Sequence, residues 1–136
     1  MHLAGLWVYP VKSLRGCSVA AASVDELGLD GDRRFLVVDD QGRFLTQRAL
    51  PRLALIETAL DPAQLTLTAP GRPSLHVRRQ PDPSAPARTV SIWSSDGLQA
   101  EDCGAEASMA MLRLALAWPA VVIWMVAVAP VTSVGI

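Results

Sequence analysis

The stretch "QLTLTAPGRPSLHVRR" (64–79) contains two short alternating runs on either side of a turn. Leu65 and Leu67 alternate with polar neighbours before the turn, and Leu75 and Val77 do so after it. A period of two places the apolar side chains on one buried face of a strand and the polar ones on the other. The prolines and glycine of "PGRP" supply the connection. The stretch therefore predicts two half-buried β-strands joined by a turn.

Short runs of this kind recur between residues 3 and 104, spaced by about 8–12 residues with turn residues between them. This spacing is typical of an all-β domain. We therefore expect a mainly β fold, a small and mostly antiparallel β-barrel of about seven or eight strands. The other predicted strands are "LAGLWVY" (3–9), "CSVAAASV" (17–24), "RRFLVVD" (33–39), "RFLTQR" (43–48), "LALIETAL" (53–60) and "RTVSIW" (88–93).

The composition limits the classes of protein to which the chain can belong. Its 136 residues suit one domain, and 12 basic against 13 acidic residues argue against nucleic-acid binding driven by net charge. Cys17 and Cys103 do not make a disulfide framework. The opening "MHLAGLWVYPVK" lacks the basic start and the long apolar run of a signal peptide. We expect a cytoplasmic protein, with membrane association through its C-terminal tail as a variant of that expectation.

The sequence changes character after Gly104. The segment 105–117 is rich in Ala, Leu and Met and predicts a short helix. Eighteen residues without charge run from Leu114 to Val131, a length sufficient for a membrane span. Pro119 lies inside that run, however, and the many Val and Ile residues favour a strand.

Three interpretations of the apolar tail remain open. It is a frameshifted or truncated gene product beyond about Ser108, a C-terminal membrane anchor, or a helix or strand that packs on the barrel. We favour the first, because the tail almost lacks charge and departs abruptly from the pattern before it. The expected domains are a β-barrel at 1–104 and a helix with an atypical apolar tail at 105–136.

Basic residues in "RRFLVVDDQGRFLTQR" (33–48) suggest a pocket for an anion. If two antiparallel strands meet here through a two- or four-residue loop, Arg33 and Arg48 share a face, whereas a three-residue loop groups Arg34 with Arg48. We favour the first grouping. Two guanidinium groups on one face repel unless an anion such as phosphate or carboxylate lies between them. The competing interpretation, which the sequence alone favours, is local neutralisation by nearby aspartates: Asp30, Asp32, Asp39 or Asp40.

The loop "YPVKSLRG" (9–16) carries the only lysine of the chain, Lys12, beside Ser13. Pro10 fixes φ and pushes Tyr9 towards extended geometry, which pre-sets the loop without naming a ligand. The glycine-rich pattern of a phosphate-binding P-loop is absent. Taken alone, the loop also fits a proline turn with a solvated lysine.

The remaining candidates carry weaker signals. His2 and His76 have no partner at metal-ligand spacing, and neither Cys17 nor Cys103 lies in a Cys-x2-Cys or Cys/His pattern. We place His76 on the polar face of its strand. The large aromatic side chains are expected in the core: Trp7, Tyr9, Phe35 and Trp93.

Four segments, in this order, resemble the N-terminal β-barrel domain of MOSC-domain proteins, in particular YcbX-like proteins and mitochondrial amidoxime-reducing components. They are "YPVKSLRG" (9–16), "LGLDGDRRFLVVDDQGRFLTQRALPRLALI" (27–56), "LTLTAPG" (65–71) and "VSIWSSDGLQAEDCG" (90–104). MOSC denotes the C-terminal domain of molybdenum cofactor sulfurase.

The resemblance implies that this barrel and a following MOSC domain together hold a pyranopterin molybdenum cofactor. It also implies reduction of N-hydroxylated compounds with electrons from a flavin/iron–sulfur partner. It assigns cofactor binding to Lys12, Ser13 and Arg33, with Arg48 as a further member. The cofactor carries a phosphate, which suits these donors. In a plain meander Lys12 and Arg33 would lie at opposite barrel ends, so their convergence requires another strand order or a loop that runs back.

The resemblance further implies a metal-ligating thiolate in the MOSC domain, and the tail of this chain does not match that domain. Neither Cys17 nor Cys103 stands at its position, so we assign no catalytic or metal-ligating residue. We expect a cofactor-binding module of a molybdenum oxidoreductase that is incomplete and inactive alone. The alternative is a non-catalytic β-barrel that binds a partner, in one version tethered to a membrane.

Overall fold

The computed structural model describes residues 1–80, 82–108 and 124–128. The protein is mainly β in these residues, which confirms the predicted fold class. A helix begins at residue 105, as predicted, and is described to residue 108. The rest of the predicted helix, 109–117, lies outside the described residues.

Eleven strands are described, and several of them are only two residues long. They are β1 (Trp7–Val8), β2 (Cys17–Ser18), β3 (Val24–Asp25), β4 (Gly28–Leu29), β5 (Phe35–Val38), β6 (Glu57–Leu60), β7 (Gln64–Thr68), β8 (Leu75–Arg78), β9 (Ala87–Ile92), β10 (Ser95–Asp102) and β11 (Trp124–Val128). A 3-10 helix, Pro51–Leu55, precedes β6.

The strands form antiparallel sheets. The largest sheet has four strands in the order β5-β11-β10-β9. Strands β6, β7 and β8 form a three-stranded sheet, and β1 with β2 and β3 with β4 form two smaller ones. Leu65 pairs with Val77 and Leu67 with Leu75, so the "PGRP" turn joins two strands as the alternation predicts.

Strand β5 lies between two apolar clusters. Phe35 and Val37 belong to the larger cluster, and Leu36 and Val38 belong to the smaller one. All four side chains are buried, which explains why "FLVV" is a continuous apolar run instead of an alternating one. Burying a large apolar side chain contributes about 1.5–3 kcal/mol, so the four side chains of this short strand stabilise the fold.

Part of the apolar tail lies in the centre of the largest sheet. Strand β11 pairs with β5 on one side, with Ala127 opposite Phe35, and with β10 on the other, with Ala100 opposite Val128. Val126 is buried in the smaller cluster. These five residues therefore form a strand within the domain, and the rest of the tail lies outside the described residues. Among the helices of the described residues, none has the length and apolar character that a membrane crossing requires.

The segment 33–48 is not the extended hairpin that we favoured. Val38 bridges Phe44, which is the register of a three-residue loop and not of a two- or four-residue loop. The pairing continues only as far as Leu45, whose N–H donates to the Val37 carbonyl (2.9 Å), and residues 47–49 form a turn. Arg33 and Arg48 thus lie in turns and not opposite each other on two strands. The physical reason is that β5 forms its longer ladder with β11. This pairing was not predicted, because the two strands lie far apart in the sequence.

Candidate anion-binding site

Backbone hydrogen bonds bring the "YPVKS" loop beside the start of β5. The Arg33 N–H donates to the Tyr9 carbonyl (2.7 Å), and the Phe35 N–H donates to the Pro10 carbonyl (3.1 Å). The Lys12 N–H returns a bond to the Phe35 carbonyl (3.0 Å). The loop therefore runs parallel to the start of β5, and Lys12 and Arg33 lie at the same end of that strand. This parallel contact brings together two residues that a plain meander would separate.

Lys12 and Arg33 line one cavity of about 360 Å³. The full lining is Lys12, Arg33, Phe35, Leu36, Ile92 and Trp93. Small-molecule sites occupy roughly 300–1,000 Å³ and combine apolar walls with a few polar groups. A cavity with two cations on an apolar and aromatic wall suits an anionic ligand that also has an apolar part.

The Lys12 ammonium lies against aromatic rings instead of a carboxylate. Its Nζ atom is 4.6 Å from the centre of the Phe44 ring and 4.9 Å from the centre of a Trp93 ring. Within the described part of the chain, no carboxylate forms an ion pair with Lys12. Burial lowers the pKa of Lys12 from 10.5, and the positive charge of Arg33 lowers it further.

Arg33 is held by its neighbour Asp32. One carboxylate oxygen of Asp32 accepts a hydrogen bond from the Arg33 guanidinium, and the other accepts one from the Tyr9 N–H (2.8 Å). The guanidinium carbon lies 4.9 Å from the centre of the Tyr9 ring. The interpretation of local neutralisation therefore holds for Arg33, and Asp32 also fixes the position of its side chain.

The neighbouring arginines have carboxylate partners away from the cavity. Arg34 pairs with Asp25 (3.1 Å), and Arg43 pairs with Asp39 (3.1 Å). Arg34 therefore does not share the cavity that Arg33 lines.

The other two predicted site residues lie close to this region in the fold but do not line the cavity. Ser13 follows Lys12, and its carbonyl accepts a hydrogen bond from the Gln47 side-chain amide (2.9 Å). Arg48 follows Gln47 in the 47–49 turn and is exposed. This bond ties the turn that carries Arg48 to the loop that carries Lys12.

Strained backbone marks the same region. Among the described residues, three that are not glycine have positive φ: Ser13 (73°), Arg33 (49°) and Trp93 (53°). Arg33 and Trp93 line the cavity, and Ser13 is the neighbour of Lys12. Such conformations cost about 1–3 kcal/mol each and cluster at functional sites. Their coincidence here is an observation independent of the charges.

The prediction that four large aromatic residues lie in the core is correct only for Phe35. Trp93 is 70 % exposed, Trp7 57 % and Tyr9 40 %. Trp93 occupies the turn between β9 and β10, where a side chain projects from the end of the sheet. Tyr9 lies over Gly16, where an added Cβ would be 2.7 Å from its ring.

The sequence did not indicate that Phe44 and Trp93 lie beside Lys12. Trp93 stands directly before "SSDG", a turn signal that could have placed it outside the core. Phe44 carries no comparable signal, because its position depends on contacts with β9 that are distant in sequence.

The cysteines do not contribute to this site. Neither Cys17 nor Cys103 lines the cavity. Burial raises the pKa of the Cys103 thiol to about 12, and the Asp102 and Glu101 carboxylates add to the effect. A thiol of this kind stays protonated at neutral pH and is a poor metal ligand. Within residues 1–80, 82–108 and 124–128, no group of three or more His, Cys, Asp or Glu side chains is arranged to hold a metal ion.

Comparison with known proteins identifies the family. The family model for the MOSC N-terminal beta barrel domain matches residues 1–115. The chain belongs to this family. The match confirms the resemblance that the four sequence segments carried and extends beyond Gly104 into the first part of the tail.

Several curated relatives are similar over most of this chain. Mitochondrial amidoxime-reducing component 1 of Mus musculus is 34% identical over 78% of this chain, and mitochondrial amidoxime reducing component 2 of Bos taurus is 36% identical over 76%. The chain spans only 32% of the length of either relative. Molybdenum cofactor sulfurase of Oryza sativa subsp. japonica is 39% identical over 45% of this chain and 7% of its own length.

A solved structure has the same fold. The solution structure of a Bordetella bronchiseptica protein superposes with a TM-score of 0.60 and covers 82% of this chain and 91% of that one. The two sequences are 23% identical, so this likeness supports the fold alone.

Proposed function

We propose that the chain is the N-terminal, cofactor-binding module of a MOSC-type molybdenum oxidoreductase. In this proposal, Lys12 and Arg33 hold the phosphate of a pyranopterin molybdenum cofactor. The supporting observation is that both cations line one cavity while the charge of Lys12 has no carboxylate partner in the described residues. The relatives are named for amidoxime reduction and for the molybdenum cofactor, which agrees with a ligand of this class.

The donor set fits a phosphate. An anion between the Lys12 ammonium and the Arg33 guanidinium would replace their mutual repulsion with two charge-assisted hydrogen bonds. Arg33 can bind a phosphate oxygen in a planar fork, whereas Lys12 acts as a point charge. In the proposal, the Ser13 hydroxyl and the exposed Arg48 add donors from the loop and turn that the Gln47–Ser13 bond joins.

The remaining parts of the enzyme come from outside these residues in our proposal. When bound, the cofactor supplies redox chemistry through its molybdenum. The thiolate that ligates the metal belongs to a MOSC domain, since Cys103 is held as a thiol and neither Cys17 nor Cys103 lines the cavity. The reaction is the reduction of N-hydroxylated compounds with electrons from a flavin/iron–sulfur partner, and this chain alone does not catalyse it.

The test measures whether the full 136-residue chain binds molybdenum cofactor that has been released from a donor molybdoenzyme. Bound pterin is measured by its fluorescence after separation from free cofactor. We expect Lys12→Ala and Arg33→Ala each to reduce binding about tenfold or more, which corresponds to losing one hydrogen bond to a charged group. Arg34→Ala is the matched control and should bind as the wild type does, because Arg34 pairs with Asp25 outside the cavity.

Three other results would each contradict part of the proposal. Unchanged binding by both Lys12→Ala and Arg33→Ala would show that the site is wrongly assigned. A wild-type chain that binds no cofactor would favour the alternative, a non-catalytic interaction module. Reduction of an amidoxime by this chain alone would contradict its dependence on a MOSC domain.

A further inference from the structure

We propose that Trp93 is a stacking platform for the planar fused-ring heterocycle of the phosphate-bearing ligand that Lys12 and Arg33 hold. This inference rests on the proposed function and adds to it the part of the site that would recognise the ring. The strand pattern before Trp93 assigned this side chain to the core and gave it no binding role.

The turn that carries Trp93 gives the first reason. Ile92 of β9 pairs with Ser95 of β10, so Trp93 and Ser94 form a two-residue hairpin connection. Trp93, the first of the two, has a φ of 53°. Turns of this length with positive φ at that position favour Gly or Asn, because a bulky side chain is strained there. A tryptophan at this position carries a steric cost that a purely structural turn would avoid.

The position of the indole gives the second reason. The ring lies on the wall of the cavity, with the Lys12 ammonium 4.9 Å from the centre of one of its rings. Phe44 packs against it at a centroid distance of 4.8 Å and a tilt of 57°. Phe44 is itself anchored, since its N–H donates to the Ser91 carbonyl (3.3 Å). The indole is therefore held in place while 70 % of Trp93 remains exposed.

These contacts favour a ligand that carries both a planar ring and an anionic group. The face of an indole ring stacks on planar heterocycles, and this stacking tolerates any base because every base has a π-face. A ring stacked on Trp93 would lie in the same cavity as Lys12 and Arg33, which bind the phosphate end. The ligand is thus a fused-ring heterocycle joined to a phosphate, with the ring on Trp93 and the charge on the two cations.

The test compares two ribose phosphates, one with a fused-ring base at C1′ and one with a hydroxyl group there. Guanosine 5′-monophosphate and ribose 5-phosphate are titrated into the full chain by calorimetry at low ionic strength. We expect the wild type to prefer the nucleotide about tenfold, within the range that stacking of one base on an aromatic side chain supplies. Trp93→Gly should lose this preference and keep its affinity for ribose 5-phosphate.

Several variants separate stacking from folding. Glycine accepts a φ of 53° without strain, so Trp93→Gly should keep the urea midpoint of the wild type, and Trp93→Phe should restore part of the preference. Trp7→Leu removes another exposed tryptophan that does not line the cavity, and it should bind both esters as the wild type does.

Each outcome decides between the two proposals. Equal affinity of the wild type for both esters, or an unchanged preference in Trp93→Gly, would overturn the stacking role and leave the phosphate site standing. If Lys12→Ala bound ribose 5-phosphate as tightly as the wild type, the phosphate site itself would be wrong. Binding of neither ester by the wild type would overturn both.

Discussion

At the scale of single residues, Lys12 and Arg33 differ in how far neighbouring groups neutralise their positive charges. Arg33 has Asp32, which also accepts the Tyr9 N–H and so fixes the guanidinium. Lys12 has two aromatic rings, which stabilise an ammonium by only about 0.5–2 kcal/mol. The pKa of Lys12 is lowered from 10.5 by burial first and by Arg33 second. An anionic ligand therefore gains most at Lys12, where the charge is least compensated.

A titration of Lys12 tests this electrostatic description. Because Lys12 is the only lysine, a ¹³C label at lysine Cε gives one resonance. We expect its pKa in the folded protein to lie below 10.5 and to rise in Arg33→Gln, which removes the neighbouring positive charge. Arg34→Gln should leave it unchanged, and an equal rise in that control would mean that Arg33 is not the specific cause.

The same shift predicts how stability depends on pH. Between the lowered pKa of folded Lys12 and 10.5, the unfolded chain binds more protons at this residue than the folded chain. The Lys12 contribution to the free energy of unfolding should therefore rise as pH rises through that window and be constant below it. Urea denaturation of the wild type and Lys12→Met across alkaline pH measures this contribution as the free energy of unfolding of the wild type minus that of the variant. If this difference fell as pH rose, the predicted sign would be wrong.

At the scale of elements, a short segment outside the named strands holds the aromatic side chains beside Lys12 in place. Residues 42–44 attach to β9 through the Ser91 N–H, which donates to the Gly42 carbonyl (2.9 Å), and through the Phe44 N–H. Gly42 permits this close approach, because an added Cβ would lie 2.3 Å from the Thr89 carbonyl oxygen. Alternation predicted β7, β8 and β9 correctly, but it could not predict this attachment, which depends on backbone contacts between distant segments.

Gly42→Ala should destabilise the protein more than a comparable glycine substitution. Its φ of 78° and the contact with Thr89 together predict a loss of about 2 kcal/mol or more in the free energy of unfolding. Gly97→Ala is the matched control, because Gly97 has a φ of 71° but nothing within 4 Å of an added Cβ, and should lose about 1 kcal/mol. Equal losses in urea denaturation would show that the contact with β9 is unimportant.

At the scale of the whole molecule, β5 and β11 connect the site to the core. β5 begins beside Arg33 and contributes alternate side chains to both apolar clusters, and β11 pairs along its length. The sequence predicted the mainly β fold because most strands alternate or are bounded by Pro and Gly turns. A strand packed on the barrel was only one of three interpretations of the tail and not the favoured one, because an apolar run without charge has the same composition in a buried strand, a membrane span and an out-of-frame product.

The contribution of β11 to stability can be measured directly. Val126 is buried between β5 and β10, so Val126→Ala should lose about 2 kcal/mol in the free energy of unfolding through lost transfer energy and the cavity that remains. Val24→Ala, at a position 75% exposed, should change it by less than about 0.5 kcal/mol. Indistinguishable urea midpoints for the two variants would mean that β11 does not complete the sheet in solution.

The candidate site, like β11, could be predicted only in part, because contacts between distant segments form it. The family motifs named Lys12, Ser13, Arg33 and Arg48, and the fold places Lys12 and Arg33 on one cavity. The hairpin argument failed because it assumed regular strands on both sides of Gly42. Trp93 was assigned to the core because its strand pattern continues up to the turn, whereas its positive φ is visible only in the structure.

The most direct test of the central claim, a shared anion site at Lys12 and Arg33, is the pKa of Lys12 measured by ¹³C NMR with and without inorganic phosphate. We predict that saturating phosphate raises this pKa in the wild type, because a bound anion favours the charged ammonium. In Arg33→Gln the effect of phosphate should be much smaller. A Lys12 pKa that is the same with and without phosphate would contradict the account.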